Sequence, residues 1–210
     1  MKSNQENASG DMPQPSLVLT LDGDDASRFV GLLNGGFMIK ARTGESVQTL
    51  LCDRLGLDKF YFDERIQTLF LNSKPVDDPV TAVVKNNAIL ALSAAMPGLV
   101  GATFRKGGKY RWMRGSISHP GDSDMGAGKT GWITVKLFNL ILKELGPFFL
   151  EAGVWLKGDT IQAFFAEQGG SLDDRIQSVS WNGREITPAG ILLIAWPDEP
   201  IYINLDNHSH

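Results

Sequence analysis

The chain has 210 residues, 42% of them hydrophobic, with 20 Lys and Arg against 24 Asp and Glu and a formal net charge of -4. That length and apolar content can bury a sizeable core in one large domain or two small ones, while a negative summed field disfavours general binding to nucleic acid or anionic membranes and makes any basic function local. A single cysteine, Cys52, leaves no intramolecular disulfide, and no Cys/His cluster has zinc spacing, so no metal or cofactor is expected and the cytoplasm is the expected compartment.

The opening MKSNQENASGDMPQPS lacks an apolar signal core, and the apolar runs that follow fall far short of the roughly 20 residues a membrane span needs. Residues 1–15 are polar and are expected to form a disordered tail. LVLTL (17–21) and FMIKA (37–41) are short β-prone runs bounded by Asp, Gly and Thr. Val47, Leu50, Leu51 and Leu55 then recur on one helical face, with Thr43 or Ser46 able to cap the start and Gly56 to end it. Cys52 falls beside that stripe, which predicts a buried, inert thiol. Ile66, Leu69 and Leu71 lead into the turn Asn72-Ser73, and AILALS (88–93) reads as a closing strand. Residues 98–131, rich in Gly, Pro, Ser and charge, have linker composition.

The same plan begins again after the linker. ITVKL (133–137) matches LVLTL, and AGVWLKGDTIQAFFAEQGG (152–170) matches GGFMIKARTGESVQTLLCDRLG (35–56), with Ile161, Phe164 and Phe165 on one helical face and Gly169 at its end. FDERIQTLFLNSKPV (62–76) and LDDRIQSVSWNGREI (172–186) share acid, Arg-Ile-Gln, alternating apolar positions and Asn at the turn, the second as Asn182-Gly183, the strongest short hairpin signal. PIYINL (200–205) closes the second unit. The expectation is an α+β chain: a tail (1–15), a first domain (16–97), a linker (98–131), a second domain (132–206) and a short tail (207–210). Trp132, Trp155, Trp181, Trp196, Phe148 and Phe149 are expected mostly in the second core, any that stay exposed marking an interface.

This order, carried by IQTLFLNSKPVDDPVTAVVKNNAILALSAAMPG (66–98), resembles the β-grasp fold, and within it the sulfur-carrier branch: the small subunit of molybdopterin synthase and the thiamine-biosynthesis sulfur carrier. The resemblance implies two tandem β-grasp (ubiquitin-like) domains and a protein partner such as an adenylating or cofactor-dependent enzyme. Carriers of that family end in an exposed Gly-Gly. Here Pro97-Gly98 stands in its place and the chain ends in LDNHSH, so the resemblance implies a non-catalytic interaction module rather than a carrier. Gly107-Gly108 lies about ten residues past the last strand of the first unit, and cleavage after Gly108 would leave a carrier-like tail.

One concentrated basic and aromatic island interrupts the acidic chain: FRKGGKYRWMR (104–114), with Arg105, Lys106, Lys109, Tyr110, Arg111, Trp112 and Arg114. Its residue types suit docking on a protein surface first and single-stranded nucleic acid second. GAGKTG (126–131) has the look of a phosphate loop, but Ser123 stands where the first Gly is needed and a strand follows instead of a helix. Asp24-Asp25, Asp63-Glu64, Asp77-Asp78 and Asp173-Asp174 read as solvated turns, without calcium-type spacing. His119, His208 and His210 lie in loop or tail sequence, and no Ser/His/Asp or Cys/His arrangement nominates a catalytic residue.

Overall fold

The computed structural model describes residues 14–23, 25–94, 98–109 and 128–208. The first repeat runs β1 (Ser16–Asp22), a 3₁₀ helix (Ala26–Leu33), β2 (Phe37–Arg42), a π-helical turn (Thr49–Arg54), α1 (Lys59–Arg65), β3 (Thr68–Leu71), β4 (Lys74–Pro75) and β5 (Ala88–Ser93). After α2 (Gly98–Phe104) the second runs β6 (Thr130–Phe138), α3 (Leu140–Ala152), β7 (Val154–Leu156), α4 (Gly158–Gln168), β8 (Ile176–Trp181), β9 (Arg184–Ile186), a 3₁₀ helix (Pro188–Leu193) and β10 (Ile201–His208).

Local chemistry accounts for these boundaries. Ser46 Oγ accepts the Thr49 N–H at 3.1 Å at the head of the π-helical turn, and the Asp58 carboxylate caps α1 by accepting the Tyr61 N–H at 2.7 Å. Gly169 ends α4 in the left-handed conformation, its N–H donating to Phe165 O. Asn72 and Ser73 have φ of 51° and 65°, and Asn182 and Gly183 have 50° and 76°. Two successive positive φ values match the right-handed twist of a two-residue hairpin, so both repeats turn β3–β4 and β8–β9 in the same way.

The ten strands form one sheet, in the order β4-β3-β5-β6-β2-β7-β10-β1-β8-β9. The chain is therefore of mixed α+β construction, but the strands of the two repeats are not segregated. β6, the first strand of the second repeat, lies between β5, with which it is parallel (Leu90 opposite Val135), and β2, with which it is antiparallel (Phe37 opposite Val135). β1, the first strand of the first repeat, lies between β10 (Leu19 opposite Leu205) and β8 (Leu19 opposite Val179). Each repeat thus lends its first strand to the half of the sheet built mainly by the other. This departs from the expectation of two side-by-side domains. Strands that follow one another in sequence pair often but not always.

The core is correspondingly single. Leu17, Leu19 and Leu21 of β1, Val135 and Leu137 of β6, Leu90 and Leu92 of β5 and Ile203 and Leu205 of β10 are all buried on one sheet face and belong to one cluster. α3 packs on the first 3₁₀ helix, on β10 and on β6; Gly146 of α3 gives Val30 room to approach, because a Cβ there would collide with the Val30 side chain. Rings from the two repeats interlock, with Phe29 6.1 Å from Phe164 and Phe37 4.9 Å from Phe149. Each fully buried large apolar side chain of this kind contributes about 1.5–3 kcal/mol.

Four sequence boundaries shift, one of them the tail expected over 207–210, of which Asn207 and His208 belong to β10 and pair with Leu21 and Asp22 of β1. The tail expected over 1–15 falls outside the described residues up to 13, but Gln14 and Pro15 are tied down: Pro15 O accepts the Tyr202 N–H at 2.9 Å. The expected linker 98–131 begins as helix α2, whose Phe104 ring packs 5.5 Å from Phe70, and ends inside β6; a tertiary contact of this kind overrides glycine-rich composition. Of the six aromatics expected in the second core, Phe149 is buried there, Phe148 packs partly buried against it, Trp181 and Trp196 stack edge-on at its border, and Trp132 and Trp155 lie on the opposite sheet face. Among the described residues no helix is long and apolar enough to cross a membrane.

Candidate interaction surface

The sheet face opposite the core carries an apolar and aromatic band. Cross-strand register lines up Ile89, Thr134, Met38, Trp155 and Tyr202 across β5, β6, β2, β7 and β10. The Trp155 ring lies 4.9 Å from Tyr202 and 5.2 Å, edge-on, from Trp132. Lys40 Nζ sits over both indoles at 5.2 and 5.3 Å and donates to Gln14 Oε1 at 2.7 Å, a cation–π arrangement of about 0.5–1 kcal/mol at an exposed site. Gly153, at φ 86°, leaves the space that the Tyr202 phenol fills.

At one end the band deepens into a groove of about 430 Å³ over β3, β5 and β6, floored by Phe70, Ile89 and Ala91 and walled by Lys136 and Phe138. Ile89 is 41% exposed and Phe138 47% exposed. Apolar rings and branched chains so far open to water are what an interface, rather than a core, leaves behind in a free protein.

Part of the basic island lies close by. The Lys106 N–H donates to Gln67 O at 2.7 Å; its Nζ donates to Phe62 O at 3.2 Å and rests 4.3 Å above the Phe62 ring. Burial pushes the Lys106 ammonium below the ordinary lysine range, opposed by the nearby Asp63 carboxylate. Lys106 is thus an internal anchor rather than a free contact. Gly107 takes φ 62° and the Gly108 N–H donates to Arg105 O at 3.0 Å, so the diglycine closes a turn after α2. Arg105 and Lys109 are exposed. Tyr110, Arg111, Trp112 and Arg114 lie outside the described residues, as do His119 and His210. Lys129 of the GAGKTG stretch spends its carbonyl on Thr43, accepting both the N–H and the hydroxyl, as the strand β6 begins.

A polar cluster joins the repeats on the core side. Glu144 of α3 accepts from the Tyr61 hydroxyl at 2.6 Å and from Arg65 Nε at 3.2 Å, with a second, close bond from the Arg65 guanidinium. The Arg65 and Tyr61 hydrogen bonds hold the Glu144 carboxyl below the usual carboxylate range, and burial, then the Glu144 bond, push the Tyr61 phenol up. The Cys52 thiol packs against the core and is raised by burial, as suits an unreactive thiol. Among the described residues no group of three or more His, Cys, Asp or Glu could hold a metal ion. Comparison of the chain with protein-family models, with curated proteins and with solved structures yields no match.

The groove residues escaped the sequence reading, although a signal existed. TLFL and AILAL are apolar at successive positions, a pattern that fits a strand covered on both faces. Apart from Phe104 of α2, which reaches Phe70 at the β3 end, the helices pack on one face of this sheet, so Leu69, Leu71, Leu90 and Leu92 go into the core and Phe70, Ile89 and Ala91 are left on the other side.

Proposed function

We propose that this chain is a non-catalytic protein-interaction module made of two β-grasp-like repeats, with an adenylating or cofactor-dependent enzyme as the partner class that its sulfur-carrier resemblance implies. The repeated order of strand, helix, strand, helix, hairpin and strand supports the β-grasp descent. The observation that carries the interaction reading is the solvent-facing apolar groove with Ile89 and Phe138 at its surface. A half-exposed ring on a wall of such a groove leaves part of its apolar surface in water in the free protein, and association would bury that remainder.

Affinity purification of the full chain from its own cells, in wild-type form and as Ile89→Asp, tests this. An enzyme of the stated class held by the wild type and lost from the variant is the expected result. Retention of that enzyme by Ile89→Asp, or a wild-type chain that brings down no such enzyme, overturns the reading.

A further inference from the structure

Resting on that interaction reading, the partner's chemistry can be specified further: we propose that the groove and its aromatic extension receive an acidic amphipathic helix of the partner, its apolar side seated on Ile89 and Phe138 and a carboxylate directed at Lys136. Three observations carry this. First, among the described residues Lys136 is the one charged group that lines the groove, and no described carboxylate lines it. In a chain of net charge -4, that local cation selects a partner bearing the opposite sign.

Second, the band is the right length. From Ile89 to Tyr202 it crosses four inter-strand steps, about 19 Å at roughly 4.8 Å each, which a helix of about 13 residues spans at 1.5 Å per residue. Lys40, a second cation on this face, keeps its charge but is held in place by Gln14 and the two indoles, so Lys136, at the groove end, is the cation available to a partner carboxylate. Third, the shape is that of a sheet face and not of an enclosed cavity. Helices already cover the opposite face of this sheet through alternate strand residues, and a helix laid across Ile89, Thr134, Met38 and Trp155 would use the same packing from the other side.

The test selects a phage-displayed library of helix-forming 16-residue peptides on the full-length chain and measures synthetic copies of the enriched peptides by titration calorimetry. The expected peptides carry apolar residues at i, i+3 or i+4, and i+7 together with Asp or Glu. Their Kd should weaken tenfold or more on Ile89→Asp, on Phe138→Glu and on Lys136→Glu. For Lys136→Glu, affinity should return when the peptide's acidic residue is replaced by Lys. Ile89 and Phe138 are exposed and stand on different strands, so a folding defect in one variant leaves the other to decide, with thermal melting as the check. Enriched peptides without acidic residues, binding unmoved by these substitutions, or enrichment of nothing would each overturn the proposal. A concentration-dependent dimer of the chain dissolved by Ile89→Asp would give the face to a second copy and likewise overturn it. Peptides that bind elsewhere would remove this groove while leaving the broader interaction reading to its own purification test.

Discussion

Met38 of β2 and Trp155 of β7 face each other across the seam at which the two five-stranded halves of the sheet meet. Each half contains four strands of one repeat and the first strand of the other. Without β6, β5 and β2 have no common partner, and without β1, β10 and β8 lose theirs. Expressed alone, 1–109 and 110–210 should each fail to give a cooperative thermal transition. Mixed, they should form a 1:1 complex that does, as read by size exclusion and circular dichroism. A stable, cooperatively melting 1–109 fragment would contradict the exchanged topology.

The Glu144 cluster makes stability depend on pH in a defined direction. A carboxyl whose folded pKa is lowered stabilises fully above its unfolded value, about 4.3 for Glu, and that contribution is lost as pH falls through the folded value. Tyr61→Phe removes one hydrogen bond to a charged acceptor at a partly exposed site, for an expected cost of about 1 kcal/mol at pH 7. Urea unfolding should find that difference between wild type and variant at pH 7 and a smaller one at pH 3. An equal difference at both would mean that the carboxylate plays no part.

Ser73 occupies a position where its repeat counterpart is Gly183, and both have positive φ. A side chain in that conformation costs about 1–2 kcal/mol, part of which Gly returns as entropy in the unfolded chain. Ser73→Gly should therefore stabilise by about 0.5–1 kcal/mol in chemical denaturation. The reverse change, Gly183→Ser, should destabilise by a similar amount.

Lys106 offers a check on the docking of the segment after α2. Burial lowers its pKa, so the folded state holds the charged ammonium less readily than the unfolded chain does. Stability from this group should rise as pH climbs through the folded value toward the unfolded one, about 10.4. After reductive ¹³C-methylation, the Lys106 resonance should titrate below the ordinary lysine range and return to it in urea. A resonance at the ordinary value in the native protein would place the side chain in solvent, off the Phe62 ring.

The elements of this protein were legible locally. β-prone composition bounded by Asp, Gly and Thr marks LVLTL and FMIKA, Thr43 or Ser46 and then Gly169 bound helical segments, with Ser46 taking the capping role, and Asn182-Gly183 announces a hairpin, because each depends on neighbours a few residues away. The repeat, too, is written in the sequence, in the Arg-Ile-Gln and Asn-turn positions that the two halves share. Strand order was not: backbone hydrogen bonds pair any two strands, so nothing in ITVKL says that β6 will lie between β5 and β2. Nor did AILAL reveal which of its apolar residues would meet helices and which would face water. Apolar character on both sides of a strand comes from the sequence, but the count of layers packed on the sheet is a property of the whole chain. That tertiary choice made Ile89 and Phe138 the floor and wall of an open groove, and turned two repeats into one interleaved sheet.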